Sequence, residues 1–129
     1  MQQPIVISGA GILGCYISCA LSLQGIDSIV LEKKDDEVED SVRTITLNPF
    51  SKNLLDKIGI ENDYSMINKM EVKDFDGTGK IVFKSSEIGM DHLAYVSDFA
   101  TLLMAVRKKV SKKILYKEEI IDIDNKGDL

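Results

Sequence analysis

Apolar positions form two short unbroken runs near the N-terminus, Ile5-Val6-Ile7 and Ile29-Val30-Leu31, and between them Leu13, Ile17 and Leu21 recur every four residues. Unbroken runs of this length are the signature of strands buried on both faces of a parallel sheet. A four-residue repeat is helical. The spacing therefore predicts a helix from Leu13 to Gln24, with Tyr16 and Ala20 widening its inward stripe and Gly25 placed for a left-handed C-cap. Strand, helix and strand in that order make a right-handed βαβ crossover.

Past an acidic loop, Lys33 to Asp40, the pattern changes. Asn48 is placed to cap a short helix, Pro49 suits its first position, Leu54, Leu55 and Ile58 mark its inward face, and Gly59 ends it. Met70, Val72 and Phe75 then alternate, Asp76-Gly77 supplies a turn, and Ile81 and Phe83 alternate again, which reads as an antiparallel hairpin. Leu93 to Val96 is a further short strand. Asp98 caps a helix carrying Phe99, Leu102, Leu103, Val106 and Val110. Ile114 to Tyr116 and Ile120 to Ile123 read as closing strands, with a turn at Lys126-Gly127. The expected class is α/β, a Rossmann-like unit interrupted by an antiparallel hairpin.

Composition removes several functions. With 129 residues, a net charge of -5 and no tryptophan, the chain has no basic face for nucleic acid. Its two cysteines, Cys15 and Cys19, lie one helical turn apart with no second ligand pair, so no metal site is expected and both read as small packing residues of a reduced compartment. The opening Met-Gln-Gln-Pro lacks a basic segment, and the apolar stretch from Ile12 to Leu23 is short and broken by serines, so a cytoplasmic location is expected. His92, the only histidine, has no visible partner and is assigned a surface or structural role. The basic tract Arg107, Lys108, Lys109, Lys112 and Lys113 reads as a solvated helix end favoured by the helix dipole, with contact to an anionic membrane as the second reading.

The candidate chemistry lies in the crossover. Gly9, Gly11 and Gly14 spell G-x-G-x-x-G between a predicted strand and a predicted helix, and Glu32 ends the next strand eighteen residues after Gly14 (32 minus 14). The first glycine permits a tight turn, the second lets a pyrophosphate approach the backbone, and the third lets helix and strand pack closely. The helix N-terminus binds the phosphates without a lysine, and Glu32 accepts hydrogen bonds from a ribose. The alternative is a glycine-rich turn that holds no ligand. NAD and FAD share the ADP half, so the fingerprint does not choose between them.

The stretches GAGILGCYISCALSLQGIDSIVLEK, RTITLNPFSKNLLDKIGI, INKMEVKDFDGTGKIVF and LAYVSDFATLLMAVRKKV resemble, in order and spacing, the N-terminal third of the FAD-dependent aromatic hydroxylases of ubiquinone biosynthesis, within the flavoprotein monooxygenase superfamily. The resemblance implies part of a Rossmann-like FAD/NAD(P)-binding three-layer fold, with residues 1–129 as the N-terminal FAD-binding portion and 68–96 as the start of the substrate-side sheet. It implies that the turn Gly9, Ala10, Gly11, Ile12, Leu13 and Gly14, with Glu32 and Lys33, holds the ADP half of FAD, and that Arg43 lies by the flavin and pyrophosphate. Ser18 stands where the family has a small alanine. The family's acid two places before the arginine is here Ser41, with Asp40 one place earlier; the other reading of Arg43 is a solvated residue paired with the acidic loop.

The implied activity is hydroxylation of a small aromatic ring, a ubiquinone precursor, with NAD(P)H as electron donor and O2 as oxidant. Such chemistry requires no catalytic triad or metal cluster, and no catalytic residue is assigned. The family's second flavin motif, a Gly-Asp, lies far downstream and is not Gly127-Asp128, so the sequence reads as a fragment that would not hydroxylate by itself. It is expected to self-associate through an open edge at Ile5 to Ile7. A location peripheral to the inner membrane is the second expectation for compartment. The competing functions are an NAD-binding oxidoreductase domain and a non-catalytic FAD-binding fragment.

Overall fold

A computed structural model describes residues 3–39 and 42–124. In chain order the elements are β1 (Ile5–Ser8), α1 (Ile12–Leu23), β2 (Ser28–Glu32), β3 (Thr44–Leu47), α2 (Pro49–Lys57), β4 (Ser65–Ile67), β5 (Lys69–Lys73), β6 (Lys80–Lys84), β7 (Ala94–Asp98), α3 (Phe99–Lys109) and β8 (Ile114–Tyr116). Short 3-10 turns cover Ser85–Ile88 and Ser111–Lys113. The chain divides into two compact units, residues 1–39 with 103–129, and residues 40–102.

The first unit holds a parallel sheet in the order β1-β2-β8, with Ile5 opposite Ser28 and Val30 opposite Ile114. The predicted strand-helix-strand crossover is present. Gly25 has φ +72°, and the N–H groups of Ile26 and Gly25 donate to the carbonyls of Leu21 and Ser22, which closes α1 as the C-cap glycine foretold. The inward face of α1 is not the predicted one. Leu13 is 69% exposed and Ile17 is exposed as well, whereas Cys15 and Ser18 are fully buried. Close approach decides this: the helix meets its strands through Gly14, Cys15 and Ser18, a face of small side chains, and bulky residues are turned away from it.

Two further expectations in this unit are corrected. Among the described residues β1 pairs only with β2, and Ile5 and Val6 are about half exposed, so its apolar run marks an edge strand and not one covered on both faces. The edge on which self-association was expected is therefore present. Ile120 to Ile123 is not a strand; with no neighbouring strand to pair with among the described residues, Ile121 and Ile123 face solvent. The predicted turn at Lys126-Gly127 lies outside the described residues, as do Asp40, Ser41 and Gly127-Asp128.

In the second unit β7 runs antiparallel to both β3 and β4, and β5 and β6 form a separate hairpin with Met70 opposite Phe83 and Val72 opposite Ile81. The hairpin connection is longer than a two-residue Asp-Gly turn. Asp74 N–H donates to Gly79 O, and Phe75 sits in the loop, almost wholly exposed, so the alternation ends at Val72. Helix α2 packs on β3 and β7 through Leu55 and Ile58, as the sequence pattern required. Asn48 caps it: Oδ1 accepts the Ser51 N–H at 2.8 Å. Replacing Asn48 with Ala should cost about 1 kcal/mol, read as a lower urea midpoint with unchanged slope; an unchanged midpoint would mean that Pro49 and burial fix this helix end without the cap.

His92 has a partner after all: Nδ1 lies 2.6 Å from Asn68 Oδ1, and the ring stands edge-on to Tyr95 at 5.5 Å. Asp98 Oδ1 accepts the Thr101 N–H at 2.7 Å and so caps α3. Leu102 and Val106 of that helix are almost completely buried. Among the described residues no helix is long and apolar enough to cross a membrane.

Candidate nucleotide-binding site

The chain leaves β1 through a turn whose three glycines stand in three different surroundings. Gly9 N–H donates to Leu31 O at 2.7 Å, and its φ of +99° is one that a side chain rarely allows. Gly11 has ordinary dihedrals, and a Cβ built on it would meet no atom within 4 Å, so its hydrogen faces open space. At Gly14 a Cβ would lie 2.1 Å from Gly9 O, which is the closest approach of helix and turn. Helix α1 then starts without a cap: Gly11 offers no side chain, and the first turn contains no acidic residue. The first bond inside the helix runs from Cys15 N to Gly11 O. The N–H groups of Ile12, Leu13 and Gly14 precede it and have no helical partner, which leaves a positive helix end beside open space at Gly11.

Glu32 closes the other side. Its Oε2 accepts the Ala10 N–H at 3.0 Å and its Oε1 accepts the Lys34 N–H at 3.0 Å. Burial alone would raise the pKa of this carboxyl, but those two amides and the nearby Arg107 charge outweigh it and hold Glu32 below the usual carboxylate range. Because the shift is downward, the ionised form persists well into mildly acidic solution. What it contributes to stability is lost only as pH falls through its depressed folded-state value.

Beyond Glu32 lies a cavity of about 400 Å³ lined by Ser8, Gly9, Leu31, Glu32, Lys33, Glu118, Glu119 and Ile120. It opens at the carboxyl ends of β1 and β2, where ligands of parallel α/β sheets bind. The lining from the far end of the chain is set by Lys117, which follows β8 with φ +60°, an uncommon conformation for a residue with a side chain. Its N–H donates to Lys34 O, and Glu118 N–H donates to Glu32 O, so the backbone turns across the end of β2.

All the glycines of the motif, with Ala10, Ile12, Leu13, Glu32 and Lys33, thus gather around one turn of the first unit. Arg43 belongs to the second unit, where its guanidinium lies 4.2 Å from the centre of the Phe99 ring and its carbonyl accepts the Phe99 N–H. Cys15 is buried, and burial pushes its thiol up to about 11, which makes it a packing residue and not a nucleophile at neutral pH.

The basic tract requires a correction. Lys108, Lys109 and Lys112 are exposed as expected, and Lys113 pairs with Asp27 at 2.6 Å. Arg107 is not solvated: its side chain is 13% exposed, Nε donates to Ala10 O at 2.8 Å, and one terminal nitrogen lies 3.7 Å from Glu32 Oε2. Helical spacing gave one signal for this, since Arg107 follows Leu103 and Val106 on the inward side of α3.

An uncapped helix end, a glycine turn open to an anion and a carboxylate closing the next strand define a dinucleotide-binding α/β domain. The chain belongs to the FAD binding domain family, whose sequence pattern it matches over residues 2–119. It is 26% identical, over 91% of its length, to the mitochondrial ubiquinone biosynthesis monooxygenase COQ6 of Danio rerio, of which it spans 28%. Its fold is shared with p-nitrophenol 4-monooxygenase PnpA of Pseudomonas putida DLL-E4, at TM-score 0.74 and 18% identity over 95% of this chain and 33% of that one. It is shared too with HpxO of Klebsiella pneumoniae complexed with FAD and uric acid, at TM-score 0.67 and 20% identity over 93% of this chain and 33% of that one. The chain therefore spans about a third of the length of these relatives, and the expected α/β class and family resemblance both hold.

Proposed function

We propose that this chain forms the ADP cradle of a FAD-dependent aromatic monooxygenase acting on a ubiquinone-precursor ring. One observation carries the reading: the uncapped N-terminus of α1 opens at Gly11 onto free space, and Glu32 stands across the same turn, 3.0 Å from Ala10 N. The backbone N–H groups from Ile12 to Gly14 bind the pyrophosphate, and Gly11 admits it. Glu32 accepts the ribose hydroxyls with its remaining lone pairs, and Lys33, on the wall of the cavity, offsets phosphate charge. Arg43 is assigned to the flavin side, and the strands within 68–96 to the start of the substrate-side sheet. The chemistry that FAD supplies when bound is oxidation by O2, with NAD(P)H as the electron donor. The chain's own part is to bind the nucleotide end and orient it.

Isothermal titration of the chain with ADP, FAD and NAD tests the cradle. ADP and FAD should both bind, with FAD at least as tight as ADP and NAD no tighter. Failure of ADP and FAD to bind at millimolar concentration would remove the nucleotide reading; a clear preference for NAD would transfer the site to a nicotinamide-dependent oxidoreductase.

A further inference from the structure

Arg107 lies 97 residues from Ala10 in sequence, yet its Nε donates to the Ala10 carbonyl at 2.8 Å. The Ala10 N–H is held by Glu32 Oε2 at 3.0 Å, and a terminal nitrogen of Arg107 lies 3.7 Å from that same oxygen. Both polar groups of Ala10 are thus pinned, and Ala10, Glu32 and Arg107 close a ring. Ala10 is fully buried and stands between Gly9 and Gly11, the two residues of the turn with the most backbone freedom. A turn of this kind does not hold one shape by itself. The contacts that fix it come from β2 and from the last turn of α3.

We propose that Arg107 is a positioning residue for nucleotide binding, which holds the Ala10 peptide and the Glu32 carboxylate in register so that pyrophosphate and ribose meet one prearranged site. The inference rests on the ADP-cradle reading above. Arg107 is held in turn by the Tyr116 ring, 5.6 Å from its guanidinium carbon. Its Nη1 is buried with no hydrogen-bond partner, a cost that the other two arms of the guanidinium must offset. A lysine would not serve equally, because one ammonium lacks the forked geometry that reaches a carbonyl and a carboxylate at once.

The charges around Glu32 show how the effect is read. Arg107 faces it from α3 and Lys34 follows two residues past the end of β2; the neutral Cys15 thiol lies on α1 and the Tyr116 hydroxyl on β8. Lys33, Glu118 and Glu119 share the cavity wall. Burial pushes the Glu32 carboxyl up, the Lys34 and Ala10 amides more than offset it, and the Arg107 and Lys34 charges lower it further. Removing the arginine therefore raises the pH at which Glu32 takes up its proton, whether or not nucleotide is present.

The test uses Arg107→Met and Arg107→Lys in the whole chain. The titration midpoint of Glu32 is followed by carbon-13 NMR of its carboxyl without ligand, and ADP affinity is measured by calorimetry in the wild-type and Glu32→Gln backgrounds. Arg107→Met should raise the Glu32 midpoint and weaken ADP binding roughly tenfold, the low end of what loss of a charged hydrogen-bond partner costs. Most of that loss should vanish in the Glu32→Gln background, because the two residues act as one unit. An unchanged Glu32 midpoint in folded Arg107→Met, or losses that simply add, would overturn the role of Arg107 while leaving the cradle standing. Absence of ADP binding by the wild-type chain would overturn the cradle and this role with it. If the methionine variant does not fold, Arg107→Lys decides: ADP affinity should fall about threefold or more, and wild-type affinity there overturns the proposal.

Discussion

Gly14→Ala should cost the chain about 3 kcal/mol of stability or more, at or beyond the upper end of what an overpacked methyl costs in a closely packed region. The added Cβ would stand 2.1 Å from Gly9 O, 3.3 Å from Gly9 C and 3.4 Å from Ile7 Cγ2. Two of these atoms are backbone and cannot swing aside as a side chain would. Relief comes only by lifting α1 off the turn, which would disturb the Ala10 and Glu32 contacts on the way. Urea unfolding should show a lower midpoint, and ADP binding should be lost with it. Wild-type stability in this variant would mean that the turn relaxes without the helix moving, and that close packing is not what the third glycine provides.

Gly11→Ala should separate ligand binding from folding. The backbone at Gly11 has φ -75° and ψ 179°, which alanine adopts freely, and the new methyl meets no protein atom within 4 Å. Thermal stability should stay within about 0.5 kcal/mol of wild type, the reach of an unstrained surface substitution. The methyl would occupy the space through which a pyrophosphate nears the helix end, so ADP affinity should fall on the order of 100-fold, equivalent to about 2.7 kcal/mol. Calorimetry with ADP and a melting curve on the same preparation are sufficient. Full affinity with normal stability would place the phosphates elsewhere than this turn.

What the chain disclosed in advance was its local code. The glycine spacing, the C-cap at Gly25, the Asn48 cap with Pro49 behind it, and the alternation of Met70 and Val72 each depend on neighbours within a few residues, and each held. What it concealed required distant partners. Strands β3 and β4 are short, and Thr44 to Leu47 becomes a strand because β7, some fifty residues on, runs antiparallel beside it. On α1 hydrophobicity does not mark the buried face. Close approach of a helix to a glycine turn selects small side chains, and Cys15 and Ser18 win that face over Leu13 and Ile17.

Within the site the same division applies. The glycine turn and the place of Glu32 beside it are legible because fingerprint and crossover are contiguous. Arg107 sits in a run of lysines that suggests a solvated end, yet it lies one helical turn after the buried Leu103. The isoleucines of the segment after β8 suggest a strand. The left-handed step at Lys117, which no residue type there announces, turns it across the end of β2 instead.

Beneath the glycine turn, Ser18 of α1 and Ser28 of β2 are both buried, and their hydroxyls lie 2.8 Å apart. Each satisfies the other, so neither can be lost alone without leaving a buried polar group unpaired, at about 1 to 3 kcal/mol. Loss of both leaves two small apolar contacts and nearly no penalty. A lineage that exchanges this pair for two alanines must therefore pass through an intermediate less stable than either end. The two positions are coupled although ten residues separate them, and neither lines the cavity beside Glu32. An alanine at position 18 is harmless only in the company of a partner at position 28 that asks for no hydrogen bond.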